Sequence, residues 1–174
     1  MSDITVRPLD VEEWDRFRSM RLTALAESPD AFVATHADEE AEDEDFWRAR
    51  MERSVRLLAE RDGEALGIAS VGSYEGDERV AQLFGLFVRP EARGSGVAAA
   101  LVRTGARVAA EQGRDHLYYW VGTDNGRAVA FASSFGFRPT GNRRPMRVRS
   151  EEDGEEEVAM TLPLTGDRGG MPTL

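Results

Sequence analysis

The 174-residue chain has no cysteine, no lysine and only two histidines, His36 and His116. Without cysteine there is no disulfide, no thiolate metal site and no sulfur nucleophile to carry an acyl group. Without lysine all 22 basic residues are arginine, so no lysine side chain can accept an acyl group, and the bias is the expected mark of a GC-rich bacterial genome. The two histidines lie eighty positions apart, a separation with no metal-ligand pattern, and no metal is expected. An apolar run of 18 residues is also missing. The start, MSDITVRPLD, has neither a basic region nor an apolar core, so neither secretion nor membrane association is expected and the expected compartment is the cytoplasm.

What is present amounts to one domain. Apolar residues make up 41% of the chain, enough to fill a single core, and neither an internal repeat nor a linker divides it. The formal net charge of −10 argues against a nucleic-acid partner and for a cationic small substrate. Acid is concentrated in Asp38–Asp45 and Glu151–Glu157, and base in a run of Arg138, Arg143, Arg144, Arg147 and Arg149. The ordinary reading of such blocks is solvated surface, because like charges repel and prefer water. A monomer or homodimer is expected.

Periodicity places a strand at Ile4–Pro8 and a helix at Val11–Leu25, with Asp10 and Glu13 spaced as a capping box. A second helix is expected from about Glu42 to Met51, then a hairpin of Val55–Glu60 and Ala65–Tyr74, and a fourth strand ending at Val88. Strict alternation along that strand puts Phe84, Leu86 and Val88 on one face and Leu83, Gly85 and Phe87 on the other. A helix from Gly96 to Gln112 leads to a fifth strand at Leu117–Val121, and a crossover of this size requires the two strands to be parallel. A helix from Asn125 to Ser134 and two strands, about Thr140–Arg149 and Glu156–Leu164, complete a mixed α/β domain over residues 1–165. Gly166–Leu174 reads as a frayed tail.

The most informative segment is FGLFVRPEARGSGVAAAL, Phe84–Leu101, where an apolar strand ends in a turn and two glycines open an Ala-rich helix. The first N–H groups of a helix lack internal partners, so this is the local architecture of an anion cradle, with Arg89 and Arg93 near its mouth. A tight strand-to-helix connection explains the glycines equally well on local grounds. Neither the GxxxxGK[ST] of a nucleotide loop nor the GxGxxG of a dinucleotide fold is present.

Two blocks together resemble a known family. Arg93-Gly94-Ser95-Gly96-Val97-Ala98 matches the [Q/R]-x-x-G-x-[G/A] signature of the GNAT superfamily of N-acetyltransferases, and Leu86-Phe87-Val88-Arg89-Pro90 resembles its central strand and exit. About thirty residues on, Asn125, Ala128, Phe131 and Phe135-Gly136-Phe137 follow the order and spacing of the second family block. The resemblance, from about Ile4 to Leu164, implies a mostly antiparallel mixed sheet whose fourth and fifth strands are parallel and splay apart, with flanking helices. It also implies direct transfer of an acetyl group from acetyl-coenzyme A to a primary amine of a small molecule or protein. Backbone groups of Arg93, Gly94, Ser95, Gly96, Val97, Ala98 and Ala99 are then expected at the pyrophosphate, those of Leu86, Phe87 and Val88 along the pantetheine arm, and Asn125 and Phe131 beside that arm. An acetyl-coenzyme A-binding protein without catalysis is the alternative.

Proton transfer is where the chain departs from the family. An alkylammonium acceptor needs a base, and the leaving thiolate is helped by an acid. Many relatives carry a tyrosine as that acid where this chain has Ala132, and some carry a glutamate base where it has Gln82. Candidate substitutes are His36, Glu39 and Glu40, between the first two helices, and Tyr118, whose neighbour Tyr119 must face the other way.

Overall fold

A computed structural model describes residues 3–145 and 156–164. Among the described residues seven strands form one sheet: β1 (Thr5–Pro8), β2 (Val55–Arg61), β3 (Glu64–Ser73), β4 (Val80–Val88), β5 (His116–Gly122), β6 (Arg138–Pro145) and β7 (Glu156–Pro163). Their order is β1-β2-β3-β4-β5-β7-β6, and every neighbouring pair is antiparallel except β4 and β5. The mixed, mostly antiparallel sheet with one parallel pair is therefore as the sequence leads one to expect. The last hairpin folds back so that β7 lies against β5 and β6 takes the edge.

Among the described residues five α-helices flank the sheet: α1 (Trp14–Glu27), α2 (His36–Glu40), α3 (Glu44–Arg53), α4 (Val97–Glu111) and α5 (Gly126–Ser133). On one face α4, the crossover between β4 and β5, buries Val97, Leu101 and Val102 against Leu57, Val71 and Leu83. On the other, α1 and α3 bring Phe17, Met20, Leu25 and Trp47 onto Leu58, Ile68 and Phe87. Side chains of this size each contribute about 1.5–3 kcal/mol when fully buried, so the two layers fix both helix positions against the sheet.

Local chemistry sets the helix starts. The backbone N–H of Asp10 donates to Glu13 Oε1 at 3.1 Å, and the first turn, Val11–Glu13, is a 3-10 turn that runs into α1. Asp43 accepts from the Phe46 N–H at 3.1 Å, so α3 begins two residues later than expected. The short helix α2, which the periodicity did not reveal, is capped by Thr35, whose hydroxyl accepts from the Asp38 N–H at 3.2 Å. Its five residues are too few for a hydrophobic repeat to show.

The expected alternation along β4 is corrected by a bulge. Ser70 pairs with Phe84 and Ile68 with Phe87, so Gly85 and Leu86 together oppose Ala69. Phe84 and Phe87 consequently face the same side, that of α1 and α3, where alternation alone would separate them. Gly85 has φ +64°, a conformation that costs a residue with a Cβ about 1–2 kcal/mol, and it allows the extra residue.

Arg147, Arg149, most of the acidic turn (Glu151–Glu155) and the tail from Gly166 to Leu174 lie outside the described residues. Among the described residues no helix is long and apolar enough to cross a membrane, and no three His, Asp or Glu side chains cluster as metal ligands.

Close approach of strand β3 to its neighbour yields a test of packing. A Cβ built at Gly67 meets the Phe87 carbonyl oxygen at 2.6 Å and Val97 Cγ1 at 3.2 Å. Gly67→Ala is expected to destabilise the protein by about 1–3 kcal/mol, read as a lower urea midpoint at unchanged slope. A midpoint within error of the parent would show that β4 yields freely at this point.

Candidate active site

Strands β4 and β5 are paired from Val80↔His116 to Leu83↔Tyr119 and then separate. Beyond Tyr119, β5 continues along β7 as far as Gly122, while β4 continues along β3 to Val88. The β4 backbone groups from Phe84 onward that point away from β3 are therefore left without a strand partner, in a wedge open to solvent. Backbone polar groups in such a place need partners, and an amide-rich ligand can supply them.

A largely apolar groove of about 410 Å³ occupies one side of the wedge, lined by Leu86, Phe87, Val88, Arg93, Ala98, Asn125 and Phe131 among others. At its end is the mouth of α4. The N–H groups of Val97, Ala98 and Ala99 donate to no backbone carbonyl among the described residues, and the first helical bond runs from the Ala100 N–H to Gly96 O at 3.0 Å. Gly94 and Gly96 both have positive φ (82° and 93°), and a Cβ built on either meets nothing within 4 Å. That combination is an open concavity edged by unpartnered donors at the positive end of a 15-residue helix. The Ser95 hydroxyl donates to the Ala92 carbonyl and braces the turn. Arg93 lines the groove, with Nε donating to Val88 O at 3.0 Å. Arg89, expected beside it, instead donates through Nε to Ala65 O at 2.8 Å, which draws it toward β3. Asn125 caps α5, accepting from the Ala128 N–H at 3.0 Å, and Phe131 stacks edge-on against Phe135.

A second cleft, of about 700 Å³, lies on the other side of the wedge. Ala31, Phe32, Leu86 and Tyr119 line both, so the two spaces meet at this seam. Tyr119 is the last β5 residue paired with β4, and burial pushes its phenol pKa up. The far wall is tied together by Gln82, whose Oε1 accepts from Trp120 Nε1 at 3.1 Å, and by Arg144, stacked 3.9 Å over the Trp120 ring and 3.5 Å from Glu157.

A sequence model of the Acetyltransferase (GNAT) family matches residues 17–137. The chain belongs to that family. It is 34% identical over 92 residues to an uncharacterized N-acetyltransferase of Archaeoglobus fulgidus, covering 51% of this chain and 63% of the relative. It is 36% identical over 81 residues to the mycothiol acetyltransferase of Streptomyces coelicolor, covering 47% and 26%. The alignments thus span less than two thirds of these relatives. Among solved structures, a putative acetyltransferase from Salmonella typhimurium, YncA with its cofactor acetyl-CoA, superposes with TM-score 0.71 at 19% identity over 94% of this chain and 95% of that one. A ribosomal-protein-alanine N-acetyltransferase from Brucella melitensis gives 0.72 at 21% identity over 92% and 99%. At these identities the likeness is one of fold.

Within the GNAT frame the candidate proton-transfer residues are scattered. Ala132, where many relatives carry tyrosine, is 1% exposed in the core. Tyr118 stacks against Tyr74 with ring centroids 5.1 Å apart, its hydroxyl accepting from Asn142 Nδ2 at 3.0 Å, and it lines neither the groove nor the cleft. Tyr119, on the opposite side of β5, lines both. The strand period shows that the two must diverge but does not reveal the phase. His36 begins α2 with Nδ1 3.9 Å from Glu40 Oε1, and Glu40 is exposed. Neither lines the groove or the cleft.

Glu39 behaves unlike the rest of its acidic block. It is 4% exposed and accepts from Arg21 Nε and Nη2 at 3.0 and 3.2 Å and from Arg50 Nη1 and Nη2 at 3.2 and 3.1 Å. Burial pushes its pKa up, but the hydrogen bonds and charges of the two arginines outweigh it and hold the carboxyl below its ordinary value. Arg50 is itself drawn below its ordinary value by burial, against the pull of Glu39. Among the residues lining the cleft, Glu157 is the single acid, against Arg21, Arg50 and Arg144, and none of Asp38–Asp45 is among them. An acidic block steering a cation into the cleft is therefore not what this wall presents.

Removing the Glu39 charge leaves two largely buried guanidiniums without a counter-ion. Glu39→Gln is expected to cost about 3 kcal/mol at neutral pH. Because folding depresses this pKa, the stabilisation is fully present above the ordinary carboxylate range and is lost as pH falls through the depressed value. The gap between parent and variant in chemical denaturation should be constant near neutrality and close on acidification; a gap that does not vary with pH would contradict the ion-pair account.

Proposed function

We propose that this chain is an acetyl-coenzyme A-dependent N-acetyltransferase that passes the acetyl group directly to a primary amine. The observation that carries this reading is the meeting of two spaces at Leu86 and Tyr119. One offers an open strand edge and a helix mouth; the other offers a separate entrance. Unpartnered N–H groups of Val97, Ala98 and Ala99, beside Gly94 and Gly96, suit a pyrophosphate, and the free edge of β4 from Leu86 to Val88 suits an amide-bearing arm. The Salmonella protein solved with acetyl-CoA shares this fold, which supports the same assignment here.

Acetyl-coenzyme A supplies an acetyl group activated as a thioester. In the transfer a bond forms between the acceptor nitrogen and the acetyl carbon, the carbon–sulfur bond breaks, the nitrogen loses a proton and the departing sulfur gains one. Tyr119 is the side chain we assign to the sulfur. It stands at the seam, its hydroxyl makes no hydrogen bond among the described residues, and burial keeps it protonated near neutral pH. The amine enters through the cleft walled by Phe84, Trp120 and Val33. With no cysteine in the chain, nothing stores the acetyl group on sulfur. Glu39, Glu40, His36 and Tyr118 were the sequence's candidates; in this reading Glu39 orders arginines rather than taking a proton, and the other three stand apart from the seam.

Two variants test the assignment. Gly96→Asp places a carboxylate at the helix mouth, and acetyl-coenzyme A affinity by calorimetry should fall at least about tenfold, or about 1.4 kcal/mol. Gly96→Asn, which bears the same backbone burden without charge, should lose less; equal losses would remove the electrostatic argument. Tyr119→Phe should lower kcat about tenfold while leaving acetyl-coenzyme A affinity within about twofold, a modest effect because a thiolate departs tolerably unaided. Retention of full kcat would take Tyr119 out of the proton path.

A further inference from the structure

Behind Phe84 and Gly85, at the inner end of the acceptor cleft, is a recess of about 150 Å³ lined by Arg21, Arg50, Arg53 and Arg56 together with Ser70. It shares Arg21, Arg50, Phe84 and Gly85 with the cleft, so the two adjoin at these residues. Its charge is lopsided. Glu39 is taken up by Arg21 and Arg50, and no carboxylate among the described residues forms an ion pair with Arg53 or Arg56.

Arg56 is the anomaly. It is 6% exposed, yet its hydrogen-bond partners are neutral: Nε and Nη2 donate to Arg50 O at 3.1 and 3.0 Å, and Nη1 donates to Ser70 Oγ at 2.8 Å. Aromatic faces take the rest of its surroundings, with Cζ 4.8 Å from the Phe17 ring centroid and 5.6 Å from that of Phe84. Burial, followed by the charges of Arg50, Arg53 and Arg21, pushes its pKa down to about 9, which still leaves it cationic at neutral pH. Burying a cation without a counter-ion is costly. An arginine that merely capped the end of α3 would explain the bonds to Arg50 O, but not the cavity in front of it or the three further guanidiniums around that cavity. At about 30 Å³ per water, the recess has room for a handful of waters or one small oxyanion. A planar guanidinium fork is the geometry that fits a carboxylate.

We infer that the amine acetylated by this protein also carries a carboxylate, which seats in the Arg56 recess while the amine reaches the seam at Leu86 and Tyr119. The inference rests on the transferase reading for the amine, and on the recess alone for the anion. Gly85 lines both the recess and the cleft, and a Cβ there meets only Ser70 Oγ, at 3.9 Å, so the space beside it is free of other atoms. The acceptor is thus an amino acid or the acidic end of a short peptide, and the separation of its two groups selects between them. This narrows the cationic small substrate that the net charge suggested to an amine that also carries an anion.

The test has a binding arm and a turnover arm on the full chain. In the first, propionate and its uncharged isostere propionamide are titrated at fixed pH and ionic strength and followed by melting temperature. Propionate should stabilise and propionamide should not, with the difference lost in Arg56→Gln and reduced in the exposed-rim variant Arg53→Gln, which guards against misfolding of the first. In the second, ω-amino carboxylates of increasing length and dipeptides are compared with their amides by thiol release. The carboxylate should be preferred at least tenfold in kcat/KM at the fitting length, and Arg53→Gln should raise KM with kcat little changed. Whether free amino acids or dipeptides are preferred identifies the source of the carboxylate. An equal response to propionate and propionamide overturns the inference whether or not any amine is acetylated, and so does turnover indifferent to the carboxylate. Selective binding of propionate with no amine acetylated upholds the anion site and instead contradicts the transferase reading.

Discussion

Two neighbouring strands that stop pairing part-way along are the constraint on which the rest depends. β4 and β5 exchange hydrogen bonds as far as Leu83 and Tyr119 and then diverge, because β5 is held by β7 on its other side and β4 by β3. A sheet that parts in its middle exposes backbone donors and acceptors that elsewhere would be satisfied, and such groups favour a ligand that can pair with them. The crossover helix α4 starts just beyond the open stretch of β4, so its unpartnered amides and the open strand edge lie in sequence along one groove. The bulge at Gly85 adds a turn of phase: it sends Phe84 and Phe87 to the same face and leaves a gap between them on the side where the second cleft runs.

Charge balance on the α1/α3 face is the second constraint. Four arginines contributed by α1, α3 and β2 line one recess, and the short helix α2 delivers one buried carboxylate, Glu39, to two of them, Arg21 and Arg50. Glu39 neutralises and orders two of them, and the remaining excess lies in the recess that adjoins the second cleft. In a chain whose formal net charge is −10, a positive interior recess is a local decision of the fold and not a reflection of composition. The same arrangement makes the recess dependent on α2, since loss of its carboxylate would set like charges against each other at short range.

Much of the geometry of the groove and the α4 mouth was legible because its signals are local. Arg93–Ala99 encodes a strand exit, a positive-φ turn and a helix start within seven residues, and Asn125 caps the next helix from the position its type suggests. The parallel pairing of β4 and β5 followed from the length of the crossover. The α1/α3 side was less legible because it is assembled from distant segments. Nothing in the spacing of Arg21, Arg50, Arg53 and Arg56 announces that one strand and two helices bring them together, and Glu39 reads in sequence as one acid among seven. A glycine within a strand hints at a bulge, yet only the pairing of Ser70 with Phe84 and Ile68 with Phe87 shows that alternation breaks at Gly85. For Tyr118 and Tyr119 the period was readable and the phase was not, since both flanking residues, Leu117 and Trp120, are apolar.

The central claim, that the wedge between β4 and β5 together with the α4 mouth forms one ligand-binding track, is tested most directly by amide hydrogen exchange with and without saturating acetyl-coenzyme A. The account predicts slowed exchange in two linked stretches, 84–88 and 94–99, with α3 and the β2–β3 hairpin little changed. Tight binding with no protection in either stretch, or protection confined to the α1/α3 face, would contradict it.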